Sequence, residues 1–195
     1  MFWNPVYNPH RCITRTLNFS NNIILAIMLT LNIILAIMLA MVMCRLDYCN
    51  SLFVNLPQKE IEKLQKVQNA AARLISLTSN RESVKLVLNK LHWLPIAYRI
   101  QFKIAVIVHR CVNGTAPHYL RSMLTPYVPK RHLRSSNCTA VTFVVPRVNQ
   151  NTVGKRAFSV AGPQVWNAIP DSIREIKSND IFRAKLKTHF FECAF

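Results

Sequence analysis

Three aspartates, Asp47, Asp171 and Asp180, are the only ones in the chain, and no two of them are adjacent. Nucleotidyl transfer by the two-metal route needs paired carboxylates that hold cations about 3.5–4 Å apart. Isolated aspartates encode neither a polymerase nor a nuclease, so the sequence reads as non-enzymatic. Asp47 lies between Leu46 and Tyr48. It reads either as a carboxylate facing metal or nucleic acid, or as a hydrogen-bonding residue that fixes the turn into the next helix. Its isolation favours the second. The six cysteines (12, 44, 49, 111, 138 and 193) include no CxxC pair, and the six histidines show no HxxxH spacing. Neither a zinc site nor a disulfide framework is encoded, and no cofactor is expected. Only Gly114, Gly154 and Gly162 are glycines, which excludes a glycine-rich phosphate loop.

Positive charge is what the chain offers instead. Its 25 Lys and Arg face 8 Asp and Glu, a net +17. The excess peaks in residues 80–134, where ten Lys and Arg stand against Glu82 alone. A field of this sign attracts polyanions, either RNA or DNA or an anionic membrane surface. Arg121, Lys130, Arg131 and Arg134 interleave with Tyr119 and Tyr127, a pattern suited to phosphate contact with base stacking. Lys155 and Arg156 are expected to join them in space. Trp93 and Trp166 could also stack on bases, but each sits in an apolar, proline-containing word, LHWLPI or GPQVWNAIP. Core packing is their expected role, and His92 reads as a structural histidine.

The elements that must position these residues follow from periodicity. Residues 1–20 lack it and read as an irregular N-terminus. Residues 58–77 form an amphipathic helix with Ile61, Leu64, Val67, Ala71, Leu74 and Ile75 on one stripe. A short helix over 82–91 ends at the Pro95 turn. A longer one, 97–112, carries Ile100, Ile104, Ile107, Val108 and Cys111 and stops at Asn113-Gly114. AVTFVV at 140–145 is β-branched and closed by Pro146, which predicts a strand, with a hairpin partner near 152–160. Phe182, Leu186 and Phe190 predict a final helix over 180–192. The expected fold is therefore mainly α-helical, with a small β element near 140–160 and a hydrophobic N-terminal helix.

That hydrophobic helix, within 21–44, contains NIILAIML twice without change, at 22–29 and 32–39. A ten-residue shift leaves the copies about 80° apart around a helix axis, so no heptad seam results and the surface is apolar all round. From Ile23 to Met43 the run would measure about 32 Å, against roughly 30 Å of bilayer hydrocarbon. Two readings stay open: a single-pass anchor with the basic remainder on the cytosolic side, or a buried helix in a cytoplasmic or nuclear protein.

Four blocks in fixed order place the remainder. They are RLDYCNSL at 45–52, LQKVQNAAARL at 64–74, LHWLPI with YRIQFKI across 91–104, and RAFSVAGPQVWNAIP at 156–170. Together they resemble the C-terminal end of the reverse-transcriptase polyprotein of jockey-like, non-LTR (LINE-type) retrotransposons. The resemblance spans residue 41 to the end. It implies a region at and beyond the polymerase thumb, downstream of the catalytic palm. On this basis residues 45–195 are a reverse-transcriptase-derived region. The expected function is that of a non-catalytic, retrotransposon-derived fragment with nonspecific nucleic-acid binding through 121–134. A small single-pass membrane protein with a basic cytosolic domain is the alternative. Nothing in the sequence fixes the oligomeric state.

Overall fold

The computed structural model describes residues 25, 26, 29, 30, 32, 33, 36, 37, 40–79, 81–129, 140–149 and 153–195. The expected irregular N-terminus, 1–20, lies outside them, as does part of the 23–43 run. The chain divides into two units, Met1–Cys44 and Arg45–Phe195. The described residues of the first, 25–26, 29–30, 32–33, 36–37 and 40–44, are helical and are labelled α1. Leu25, Leu29, Ile33, Ile37 and Met41 on it are each more than half exposed. Among the described residues no helix is long and apolar enough to cross a membrane.

The second unit is mainly helical, as expected. A 3-10 turn at Asn50–Phe53 is followed by α2 (Gln58–Ser76), α3 (Val84–Lys90), α4 (Ile96–Val112) and α5 (His118–Ser122). A 3-10 turn at Gly154–Arg156 leads into α6 (Phe158–Asn167), α7 (Asp171–Arg174) and α8 (Asn179–Ala194). Four of these helices start on a proline: Pro57, Pro95, Pro117 and Pro170 are the N-caps of α2, α4, α5 and α7. Each proline has φ between −52° and −55° and accepts the first helical hydrogen bonds on its carbonyl. A fixed φ and a missing N–H suit this place, where a donor would have no partner.

Helix α4 is the axis of the unit, packing against α6, α8, α2 and the first 3-10 turn. Its Ile100, Ile104, Ala105, Val108 and Cys111 are buried, and Gly114, at φ 74°, closes it in the left-handed conformation that glycine tolerates. Helix α8 brings Phe182, Leu186 and Phe190 to the same core, the first two fully buried. Removing either from water stabilises the fold by roughly 1.5–3 kcal/mol.

The joint between α2 and α4 differs from the apolar stripe expected of it. Val67 and Leu74 are about half exposed, while Gln68 is fully buried. Gln68 Nε2 donates to the Leu94 carbonyl at 2.8 Å, and Gln65 Oε1 accepts the Ile96 N–H at 2.9 Å. Ile96 opens α4, so its N–H has no partner within the helix. Two glutamines thus satisfy the backbone of the LHWLPI turn, and that polar requirement sets the rotation of α2.

The β element is corrected. Among the described residues there is no strand, only an isolated bridge between Pro126 and Phe143. Across that bridge the Tyr127 N–H donates to the Thr142 carbonyl at 2.8 Å and the Val144 N–H to the Thr125 carbonyl at 2.9 Å, while α6 satisfies the backbone of Phe143 and Val141. Asn167 Nδ2 donates to the Phe143 carbonyl at 2.8 Å, its Oδ1 accepts the Phe143 N–H at 3.1 Å, and Trp166 Nε1 donates to the Val141 carbonyl at 2.8 Å. The expected hairpin partner is instead a 3-10 turn and α6. That helix holds Gly162 and Pro163, a pair that reads as a turn in isolation. A Cβ at Gly162 would sit 3.3 Å from Val108 Cγ2. The missing side chain lets α6 lie close on α4, and burial there outweighs poor helix propensity.

Candidate nucleic-acid interface

Of the basic residues predicted to form the site, Lys130, Arg131 and Arg134 lie outside the described residues. Arg121 is exposed on α5 and borders a cavity of about 440 Å³ floored by Cys111, Leu124 and Phe143. Burial pushes the Cys111 thiol up from its ordinary value, with Arg121 opposing, so it is a packing group rather than a nucleophile. Lys155 is exposed and Arg156 half-buried on the turn before α6. The Lys155 carbonyl accepts from Asn55 Nδ2 at 2.6 Å, which ties this turn to the segment ahead of α2. No hydrogen bond or ion pair among the described residues joins Lys155 or Arg156 to Arg121.

The structure assembles a different cluster. Two adjoining cavities, of about 420 and 310 Å³, share Asp47, Asn50, Phe102, Lys103 and Arg183. The larger is also walled by His92, Trp93, Arg99 and Lys187, the smaller by Arg110. Positions 99, 102, 103, 106, 107 and 110 fall on one face of α4. From Arg99 to Arg110 that face runs about 16 Å at 1.5 Å per residue. Arg183 and Lys187, one turn apart on α8, form the opposite wall. Lys103, Arg110, Arg183 and Lys187 are exposed. Five cations therefore line this groove against one carboxylate.

That carboxylate is already engaged. Arg99 Nε donates to Asp47 Oδ1 at 2.8 Å, and its Nη2 donates to Asp47 Oδ2. Such two-point pairing fixes both groups. Asn50, nearly fully buried, donates from Nδ2 to Asp47 Oδ1 at 3.3 Å while its own Oδ1 has no hydrogen-bond partner. Asp47 thus holds the turn into the first 3-10 helix, the second of its two expected roles. Asp171 pairs with Arg174, and Asp180 is exposed in the first turn of α8. Among the described residues, no three His, Cys, Asp or Glu gather where they could hold a metal ion.

The two described tryptophans part company. Trp166 is fully buried, packed edge-on or tilted among Phe143, His109 and Phe182, as its apolar word implied. Trp93 is half-buried against α3 and walls the groove. His92 precedes it at φ 52° and completes the cap of α3, with Trp93 N–H donating to the Leu88 carbonyl at 2.9 Å.

Sequence reasoning missed the groove because its cations sit on two helices more than seventy residues apart, and those on α4 alternate with Phe102, Val106 and Ile107. One signal was available. Helix α4 contains no acidic residue at all, whereas a merely solvated face mixes both signs. No protein-family model, no curated protein and no solved structure matches the chain.

Proposed function

We propose that this protein is a non-catalytic fragment derived from a non-LTR retrotransposon reverse-transcriptase polyprotein, and that it binds nucleic acid without sequence preference. The descent rests on the four sequence blocks. The binding rests on one observation: a groove with Arg99, Lys103, Arg110, Arg183 and Lys187 on its walls and Asp47 as its lone carboxylate. Phosphates held by such cations release counterions, so affinity falls as salt rises, with a logarithmic slope of about −0.7 to −0.9 per phosphate contact. Reversing Lys103, Arg183 and Lys187 to glutamate should weaken binding at least tenfold and flatten the slope by about 2 to 3. Reversing Arg121, Lys130, Arg131 and Arg134 in a second variant measures the share of the central basic stretch. Unchanged affinity and slope in both variants, measured by anisotropy with labelled oligonucleotides, would refute the reading.

A single-pass membrane protein is the second reading, favoured by the exposed line of Leu25, Leu29, Ile33, Ile37 and Met41. Five large apolar side chains at four-residue spacing form a continuous strip that water solvates poorly. Alkaline carbonate extraction of the expressed chain separates the two: retention in the membrane pellet is expected of an anchor, and release to the supernatant removes it.

A further inference from the structure

We infer that the groove accepts single-stranded nucleic acid, with a base laid against Trp93, and does not accept the intact duplex. This rests on the reading of the groove as a nucleic-acid site and specifies the form of the polymer. Shape is the first argument. A duplex offers a convex cylinder with its bases stacked inside, whereas these cations line hollows of about 420 and 310 Å³. Only a group outside a stack can fill such a hollow.

Chemistry is the second argument. Trp93 and Phe102 wall the larger hollow between cations from α4 and from α8. A base therefore meets an aromatic surface while its phosphates meet Lys103, Arg183 and Lys187, the combination that single-strand binders use. The placing of Trp93 is the third. Trp166 is fully buried, but Trp93 is only half-buried and lines the groove. His92, directly before it, adopts the left-handed conformation at φ 52°, uncommon outside glycine, that turns the chain between α3 and Trp93. Asp47 is occupied by Arg99, so stacking rather than base-edge hydrogen bonding governs the contact, and the site is tolerant of sequence.

The test uses the full chain carrying Trp3→Phe, which leaves Trp93 and the fully buried Trp166 as the two indoles. Probes are a twelve-residue oligo(dT), a mixed-sequence duplex of equal length, and heparin as a polyanion without bases. The expected result is quenching of indole emission by oligo(dT) of roughly a third or more, with affinity at least about fivefold above the duplex. Heparin is expected to bind without quenching. Trp93→Ala should abolish the single-strand preference and leave heparin affinity unchanged. Where that variant fails to fold, the quench in the Trp3→Phe chain decides alone. Binding without quenching, or equal affinity for duplex and single strand, overturns the inference while the nucleic-acid reading survives through its charge variants. No binding of either oligonucleotide overturns both.

Discussion

His109 shows how one side chain can tie several elements and expose them to pH. It is buried on α4 and stacked on Phe182 with ring centroids 4.0 Å apart. Its Nε2 donates to the Ile176 carbonyl at 2.7 Å, and Asn113 donates to the Lys177 carbonyl beside it at 2.9 Å. Burial holds the imidazole below its ordinary value of 6.5, with the Ile176 bond pulling the other way. The unfolded chain therefore takes up this proton first as pH falls. The His109 contribution to stability is complete above about 6.5 and is lost progressively below it. Urea midpoints measured from pH 7.5 to 5 should decline, and His109→Phe should flatten the decline while lowering stability at neutral pH. An acid-insensitive midpoint in the unaltered protein would remove His109 from this role.

At the scale of elements, polar joints tie separated segments of the sequence together. Gln65 and Gln68 belong to the second block and clasp Leu94 and Ile96 of the third. Asp47 of the first block holds Arg99 of the third. Gln68→Ala leaves the Leu94 carbonyl without its partner, so it should cost about 1–3 kcal/mol, seen as a lower denaturation midpoint. Leu74, more than half exposed, is tied to nothing comparable. Helices α2, α3, α4 and α8 were legible because apolar spacing, prolines and Asn113-Gly114 mark them locally. The rotation of α2 was not, because a buried glutamine carries no apolar signal. Helix α6 was not either, because Gly162 and Pro163 read as a turn until α4 is there to pack against. The strand at 140–145 failed for the converse reason: Thr142 and Val144 pair with the backbone of Thr125 and Tyr127 for one bridge only, and Asn167 and Trp166 take the hydrogen bonds of Phe143 and Val141 that a longer pairing would have used.

For the whole molecule, 25 cations against 8 acidic side chains leave a field that ion pairs such as Lys63–Glu60, Arg99–Asp47 and Arg174–Asp171 do little to offset. Lys63–Glu60 is exposed and worth little. Like charges facing one another across the groove between α4 and α8 should destabilise the unliganded fold at low ionic strength. Raising sodium chloride from 20 to 200 mM should therefore raise the melting temperature, by about 2–4 °C for each kcal/mol of repulsion screened. A melting temperature that falls with salt would mean that attractive pairs dominate instead. Composition made the charge legible from the start. Its location was legible only in part: Arg99, Lys103 and Arg110 lie in the basic stretch 80–134, but the groove exists only once α4 and α8 are packed side by side.

The prolines that head α2, α4, α5 and α7 act even where there is no fold. Each restricts its own φ and biases the residue before it, Leu56, Leu94, Ala116 or Ile169, toward extended backbone. The unfolded ensemble is therefore narrower at these four points, and proline at a compatible site gains about 0.4–1 kcal/mol by that route. The stretches that will become α2 and α4 have their starting points marked before either has found its neighbour. Four helix starts of this fold are a property of the loose chain.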